Sequence, residues 1–363
     1  MSGLSVLSGG FIAGLFAAVT AAWVAVGRTV GRRPRPTTAA VFLMAILLTI
    51  AAAADVVNAY FSYLPRLGDV VGAATEGGSD PHLKTADLRL STTSATLRAH
   101  PRGAVLALPV PDRGSGFGAT TALVYLPPQY FDRPQWKFPV LYLIHGSPGI
   151  PADWLRGGQA ADAGARVAAT GHPVIIVMPR MSHGWLDDPE CVDGVGERVE
   201  THLLRDVIPT AESTLRVDSG WTNRGIAGMS AGGYCALNLG LRNRSVFGSI
   251  IDMSGLTRPT HAGGLGPLFG AGPQAQAAMI ANSPDLYIGG LGPGPRPRIW
   301  LDVGRHDRTV AVAIYHMRDF LDANGYPVQL HVRSGVHTFT VWRPALREAL
   351  SWFADDVARV SAA

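Results

Sequence analysis

Gly228-Met229-Ser230-Ala231-Gly232 sets a serine between two glycines in the pattern G-x-S-x-G. Its flanks matter more than the pattern, because a short β-rich run (224–227) precedes it and a helical run (231–241) follows. A serine forced into a sharp strand-to-helix turn has its hydroxyl held clear of the backbone, and small neighbours let the chain turn without collision. The helix N-terminus beyond it favours negative charge developing on a reacting oxygen. Ser230 is therefore a candidate nucleophile for acyl transfer. The bland alternative is a plain glycine-rich turn, which the same five residues can also make.

A hydroxyl is a weak nucleophile until a base takes its proton, and the base needs an acid to orient it. After such a serine the expected chain order is acid, then histidine. The β-rich run 299–303 leads into Gly304-Arg305-His306-Asp307, and the run 329–333 into Ser334-Gly335-Val336-His337. Asp307 and His337 then fall in loops on the same carboxyl edge of a sheet as Ser230, as candidate acid and base. Asp302 and Asp252 are rivals for the acid, although both sit mid-strand where a buried, hydrogen-bonded structural acid is the simpler reading. His306 and His331 compete with His337. An oxyanion would need two N–H donors. One is expected from the backbone of Ala231, and the other from Ser147 in the loop His145-Gly146-Ser147-Pro148-Gly149, unless that loop is only a tight turn.

These residues need a scaffold, and the sequence supplies one. Strand candidates lie at 104–110, 121–126, 140–144, 174–178, 224–227, 249–253, 299–303 and 329–333, with helical stretches at 196–215, 231–241, 310–323 and 345–360. Short strands separated by helices imply a mostly parallel sheet covered on both faces. The segment 256–298 interrupts the alternation with Gly and Pro and is expected to be an irregular insertion, either a lid or a segment without fixed structure. Its Leu265, Leu268, Phe269, Met279, Ile280, Leu286 and Tyr287 either line an apolar acyl channel or only pack the insertion down.

The N-terminal part reads differently. Over the whole chain 47% of residues are hydrophobic and only 16% are charged, more apolar than a soluble enzyme needs. Residues 4–26 carry no charge, and residues 37–57 carry only Asp55, so each run is long enough to cross about 30 Å of hydrocarbon. Between them stand Arg28, Arg32, Arg33 and Arg35, and short arginine-rich loops stay in the cytoplasm. Both termini would then lie outside. A cleaved signal peptide, with small residues at 51–54, is the weaker alternative, because the first run has no positive segment ahead of it. The same four arginines account for the entire net charge of +4, leaving no basic surface for nucleic acid. The expected plan is a membrane anchor over 1–64, a linker over 65–103 and a catalytic domain over 104–363.

Several segments together resemble a known family. VLYLIHGSPG with Trp154 after it, RGIAGMSAGGYCALNLGLRNRSVFGSIIDMSG, the GRHD turn, and GVHTFTVW ending in Trp342 are similar in order and spacing to the esterase D-like branch of α/β hydrolases. That branch includes S-formylglutathione hydrolases and the mycolyltransferases of the mycobacterial envelope, and the resemblance spans roughly residues 104 to 355. It implies an α/β-hydrolase fold with an eight-stranded sheet and an acyl-enzyme mechanism without cofactor or metal, with Ser230, Asp307 and His337 as triad. Two spans and a short linker would keep the domain close to the outer face of the membrane, so the expected substrates are carboxylic esters, acyl or aminoacyl, of lipids or of envelope glycans. Acyl transfer to an envelope hydroxyl and a catalytically silent binding fold remain as alternatives. Cys191 and Cys235 either pair, as cysteines outside the cytoplasm can, or stand as separate thiols. Asp187, Asp188, Glu190 and Asp193 around Cys191 match no cation-binding spacing and read as a solvated acidic loop.

Overall fold

The structure, a computed structural model, describes residues 9–29, 36–61, 101–184, 187–261 and 263–362. Its chain divides into two compact units, residues 1–79 and 80–363. The segment read as a linker lies almost wholly outside the described residues, as do residues 4–8 of the first apolar run.

In the first unit, the apolar runs form the helices Gly9–Gly27 and Pro36–Phe61. Gly10–Gly27 and Thr38–Val56 have mean hydropathies of 1.9 and 2.3, and by length and composition each can cross a membrane. The helices touch through Trp23, whose indole N–H donates to Thr49 Oγ1 (2.9 Å) and whose ring meets Phe42 edge-on.

The second unit is built on an eight-stranded sheet in the order β1-β2-β4-β3-β5-β6-β7-β8. The strands are β1 (Ala104–Val110), β2 (Thr120–Leu126), β3 (Val140–Ile144), β4 (Ile175–Met178), β5 (Arg224–Met229), β6 (Ser249–Met253), β7 (Arg298–Gly304) and β8 (Val328–Arg333). β2 runs antiparallel to β1 and β4, and all strands from β4 through β8 are parallel. Strands β3 (VLYLI) and β4 (IIVM) are buried at every residue, as sequences without alternation must be when helices cover both faces. At the edges burial loosens, and β8 has no fully buried residue. The chain passes from β3 outward to β4 and then returns to the other side of β3 as β5. The carboxyl ends of β3 and β5 therefore flank the crevice where connections diverge, the place such sheets bind ligands.

Three elements differ from the sequence expectation. The helix expected over 196–215 is a composite: Val199–His202 and Ile208–Thr214 are joined by a π-turn, Leu203–Val207. Pro209 has no N–H to offer the carbonyl four residues back, so the helical ladder is interrupted beside it. The last helix starts at Phe339 rather than 345 and carries Pro344 inside it. A proline so near the start forfeits one intrahelical bond, which the buried Phe339, Val341 and Trp342 offset by packing. The insertion is not irregular throughout: it contains the helices Gly266–Phe269, Pro273–Ala281 and Pro284–Tyr287.

Candidate active site

Ser230 stands between β5 and the helix Ala231–Arg242 with φ 55° and ψ −125°, a left-handed conformation that a non-glycine residue holds only when its surroundings enforce it. Two glycines make the turn possible. A Cβ on Gly228 would lie 2.0 Å from the Gly232 carbonyl oxygen, and one on Gly232 would lie 2.3 Å from that of Ile144. The Ser230 turn and β3 therefore touch backbone to backbone.

His337 Nε2 is 2.8 Å from Ser230 Oγ, and His337 Nδ1 is 2.5 Å from Asp307 Oδ2. With the acid on Nδ1, that nitrogen carries the proton and Nε2 is left to accept from the serine. Asp307 follows β7 at the N-terminus of the helix Arg308–Ala323, and His337 follows β8. The two loops are tied by His306 N–H to the Gly335 carbonyl (2.9 Å) and by Arg305 N–H to that of Arg333 (2.7 Å). Gly335 takes φ 141°, and its carbonyl lies so close to Gly304 that a Cβ there would come within 2.7 Å.

The rivals are engaged elsewhere. Asp302 Oδ2 accepts from Arg333 Nε (2.7 Å), and Asp252 Oδ1 accepts from the Gly255 N–H (2.6 Å). Burial pushes both carboxyls up to about 7. His331 stacks on Trp300 at 3.6 Å between centroids, and the His306 side chain is exposed.

Ser147 and Ala231 line one cavity with Ser230 and His337. At the first position of its helix, the Ala231 N–H has no backbone acceptor among the described residues. Ser147 Oγ donates to the Asp187 carbonyl (2.9 Å), which anchors its loop. The preceding His145 is buried, and burial holds its imidazole down to about 4. Its Nε2 accepts from the Met181 N–H (3.2 Å), so Nδ1 carries the proton and donates to the Gly146 carbonyl (2.8 Å). A neutral imidazole thus braces the loop after β3 against the one after β4. Trp154 supports the same strand end, its indole N–H donating to the Ile144 carbonyl (3.0 Å).

Sequence reasoning named Trp342 only as the end of a matching motif and assigned no role to it or to Ser254. Trp342 meets the His337 ring edge-on at 4.8 Å and donates from its indole to Ser254 Oγ (3.1 Å), with Ser254 itself at φ 60°. The acidic segment also departs from its expected solvation. Glu190 is only 4% exposed, and with Asp188 it lines the cavity at Ser230. Cys191 is joined to Cys235 by a disulfide, which fixes this segment to the helix after Ser230. Of the seven apolar residues considered for an acyl channel, none lines that cavity, whose apolar wall is Leu256, Val310 and Tyr234. Leu268 instead lines a neighbouring cleft, Leu265, Ile280 and Leu286 are substantially exposed, and Tyr287 donates its hydroxyl to Asn238 Oδ1 (3.0 Å).

The strand order and the left-handed serine turn after β5 place this unit among the α/β hydrolases. The chain belongs to the esterase family, whose model, described as "Putative esterase", matches residues 118–353. An uncharacterized protein of Corynebacterium glutamicum is 30% identical over 327 residues, covering 86% of this chain and 75% of its own length. A Mycobacterium tuberculosis protein named as an esterase is 29% identical over 230 residues, 56% of this chain, and the match spans about half (49%) of that relative. A solved ferulic acid esterase superposes with a TM-score of 0.61 at 24% identity, covering 70% of this chain and 98% of its own. An S-formylglutathione hydrolase from Agrobacterium tumefaciens gives 0.57 at 16% identity, covering 70% and 95%. At those identities the two structures share the fold.

Proposed function

We propose that this chain is a serine esterase held at the outer face of a membrane, with Ser230 as nucleophile, His337 as general base and Asp307 as the acid that orients it. The observation that supports this most is the unbroken chain from Ser230 Oγ through His337 to Asp307, at 2.8 and 2.5 Å, opening into a cavity. Ser230 Oγ attacks the ester carbonyl carbon while its proton passes to His337 Nε2. The negative oxygen of the tetrahedral intermediate is held by the backbone N–H groups of Ala231 and Ser147. His337 then gives its proton to the departing alcohol, leaving an acyl group on Ser230. Water, activated by the same imidazole, releases that acyl group. Acyl transfer would need only a substrate hydroxyl in place of this water.

Residues 1–64 serve as the anchor in this reading, residues 65–103 as a tether and residues 104–363 as the catalytic domain. The arginines at 28, 32, 33 and 35 favour a cytoplasmic turn, and a disulfide suits an oxidising compartment. One experiment addresses both the serine and its location. Intact cells are treated with a membrane-impermeant fluorophosphonate and broken membranes with a permeant one, and the modified residue is mapped. Labelling of Ser230 by both is the expected result. Labelling only after breakage would overturn the outward orientation, and no labelling in either sample would overturn the serine mechanism.

A further inference from the structure

The cavity at Ser230 is small, about 150 Å³, and carries more acid than hydrolysis of an ester requires. A space of that size accommodates a compact acyl group. Glu190 lines this space and is 4% exposed. Thr260 bonds it from both its side chain, Oγ1 to Oε1 (3.0 Å), and its backbone, and the charged neighbour acting on it is Asp188, of like sign. Asp188 also lines an adjoining cleft of about 300 Å³ with Asp187, Glu197 and His261. Asp188 Oδ1 and Glu197 Oε2 are buried with no donor among the described residues. The bases nearby are His261, which acts on Asp188, and His183, 3.9 Å from Glu197.

Glu190 is not there by default of a flexible loop. Glu190 and Cys191 both take left-handed backbone conformations, φ 48° and 54°, which cost free energy in non-glycine residues. The Cys191–Cys235 disulfide ties that turn to the helix that begins immediately after Ser230. The fold thus spends backbone strain and a cross-link on holding a carboxyl group in the cavity that Ser230 lines.

We propose that Glu190, supported by Asp188, is a specificity-determining residue that selects small acyl groups bearing an ammonium group, so that the preferred substrates are aminoacyl esters. The inference rests on the serine-esterase reading above. Two like-signed acids buried side by side, with Asp188 Oδ1 lacking a donor, are unfavourable, and a substrate that brings N–H donors and positive charge relieves both deficits at once. An aliphatic acyl group satisfies neither, and a hydroxylated one supplies donors without charge. In the empty site, burial and the neighbouring Asp188 push Glu190 up to about 8, so it holds its proton at neutral pH. A bound ammonium favours release of that proton to solvent and leaves an ion pair beside the scissile bond.

The test uses the full chain in detergent at about pH 7, where an amino ester stays largely protonated. Alanine methyl ester, methyl lactate and methyl isobutyrate differ only in the group on the α-carbon: ammonium, hydroxyl or methyl. For each, kcat/KM is measured in the natural protein and in Glu190→Gln, and ratios between variants cancel the intrinsic reactivities of the esters. The alaninate-to-isobutyrate preference is expected to fall by about tenfold or more in Glu190→Gln, the scale of a hydrogen bond to a charged group, and to fall less in Asp188→Asn. A preference unchanged within about twofold in Glu190→Gln would overturn the proposal. So would equal sensitivity of lactate and alaninate, which would indicate recognition of hydroxyl donors instead. Should Glu190→Gln not fold, the Asp188→Asn ratio decides, and an unchanged one counts against. Failure of the underlying reading has a separate signature: no turnover of 4-nitrophenyl acetate and no fluorophosphonate on Ser230 in the natural protein.

Discussion

Asp307→Asn replaces one carboxylate oxygen by an amide of nearly the same shape, which makes it a probe of charge and tautomer rather than of packing. Asp307 Oδ2 accepts from His337 Nδ1 at 2.5 Å, and its side chain is 10% exposed. Two consequences follow. When Ser230 gives its proton to Nε2, the imidazolium gains the attraction of a carboxylate whose charge centre is about 4 Å away, worth about 4 kcal/mol at an effective dielectric constant of about 20. The asparagine also can present its NH₂ to Nδ1, which then holds the proton on Nε2, where it faces Ser230 and blocks base catalysis. The Coulomb loss alone corresponds to about 10³-fold in turnover, and the tautomer loss brings the expectation to about 10⁴-fold. Turnover of 4-nitrophenyl acetate by the detergent-solubilised chain measures it, with tryptophan fluorescence on heating to show that the variant is folded. A folded Asp307→Asn within tenfold of the natural protein would refute the assignment. Loss by Asp302→Asn with folding retained would transfer the role, although Asp302 is engaged with Arg333.

Asp252 is fully buried with its carboxyl pushed from 3.8 up to about 7, so the folded state keeps a proton that the unfolded chain releases. Stability from this group is therefore present at low pH and is lost as pH rises from about 4 to 7, at a slope of up to about 1.4 kcal/mol per pH unit. Asp252→Asn, whose Oδ1 can still accept from Gly255, should flatten the fall in thermal midpoint over that window, and an unchanged slope would refute the buried-acid account. The disulfide closes a loop of 44 residues, and the chain-entropy estimate for that length is about 4 kcal/mol. Cys191→Ser with Cys235→Ser should lower the midpoint accordingly, and an equal midpoint would show that the cross-link constrains nothing the fold does not already hold.

The strands were legible because parallel strands buried on both faces leave unbroken apolar runs, such as VLYLI and IIVM. The positions of Ser230, Asp307 and His337 were legible for a related reason: each lies within a few residues of a strand's carboxyl end, and parallel strands bring those ends to one edge. Local punctuation was misread where proline has two meanings. Pro273 and Pro284 follow Gly272 and Ser283 and open helices, since a missing N–H costs nothing at the first helical position, yet in a Gly- and Pro-rich segment they read as breakers.

Glu190 was illegible for a different reason. DDPECVD has the composition of a solvated loop, and nothing local turns its third acid inward. What turns it inward is a bond to a residue 44 positions later, on the helix whose start is set by the serine turn. Once Cys191 is paired with Cys235, five residues beyond Ser230, the acid beside Cys191 is confined to the cavity that Ser230 lines. An acidic residue next to a cysteine, and a cysteine just after a candidate nucleophile, is thus a signal spread over two segments that carries meaning only when the pair is joined. The loop composition argues for water, the cross-link argues for the cavity, and a covalent constraint outweighs a preference for solvation of about the size of one buried, partly hydrogen-bonded acid.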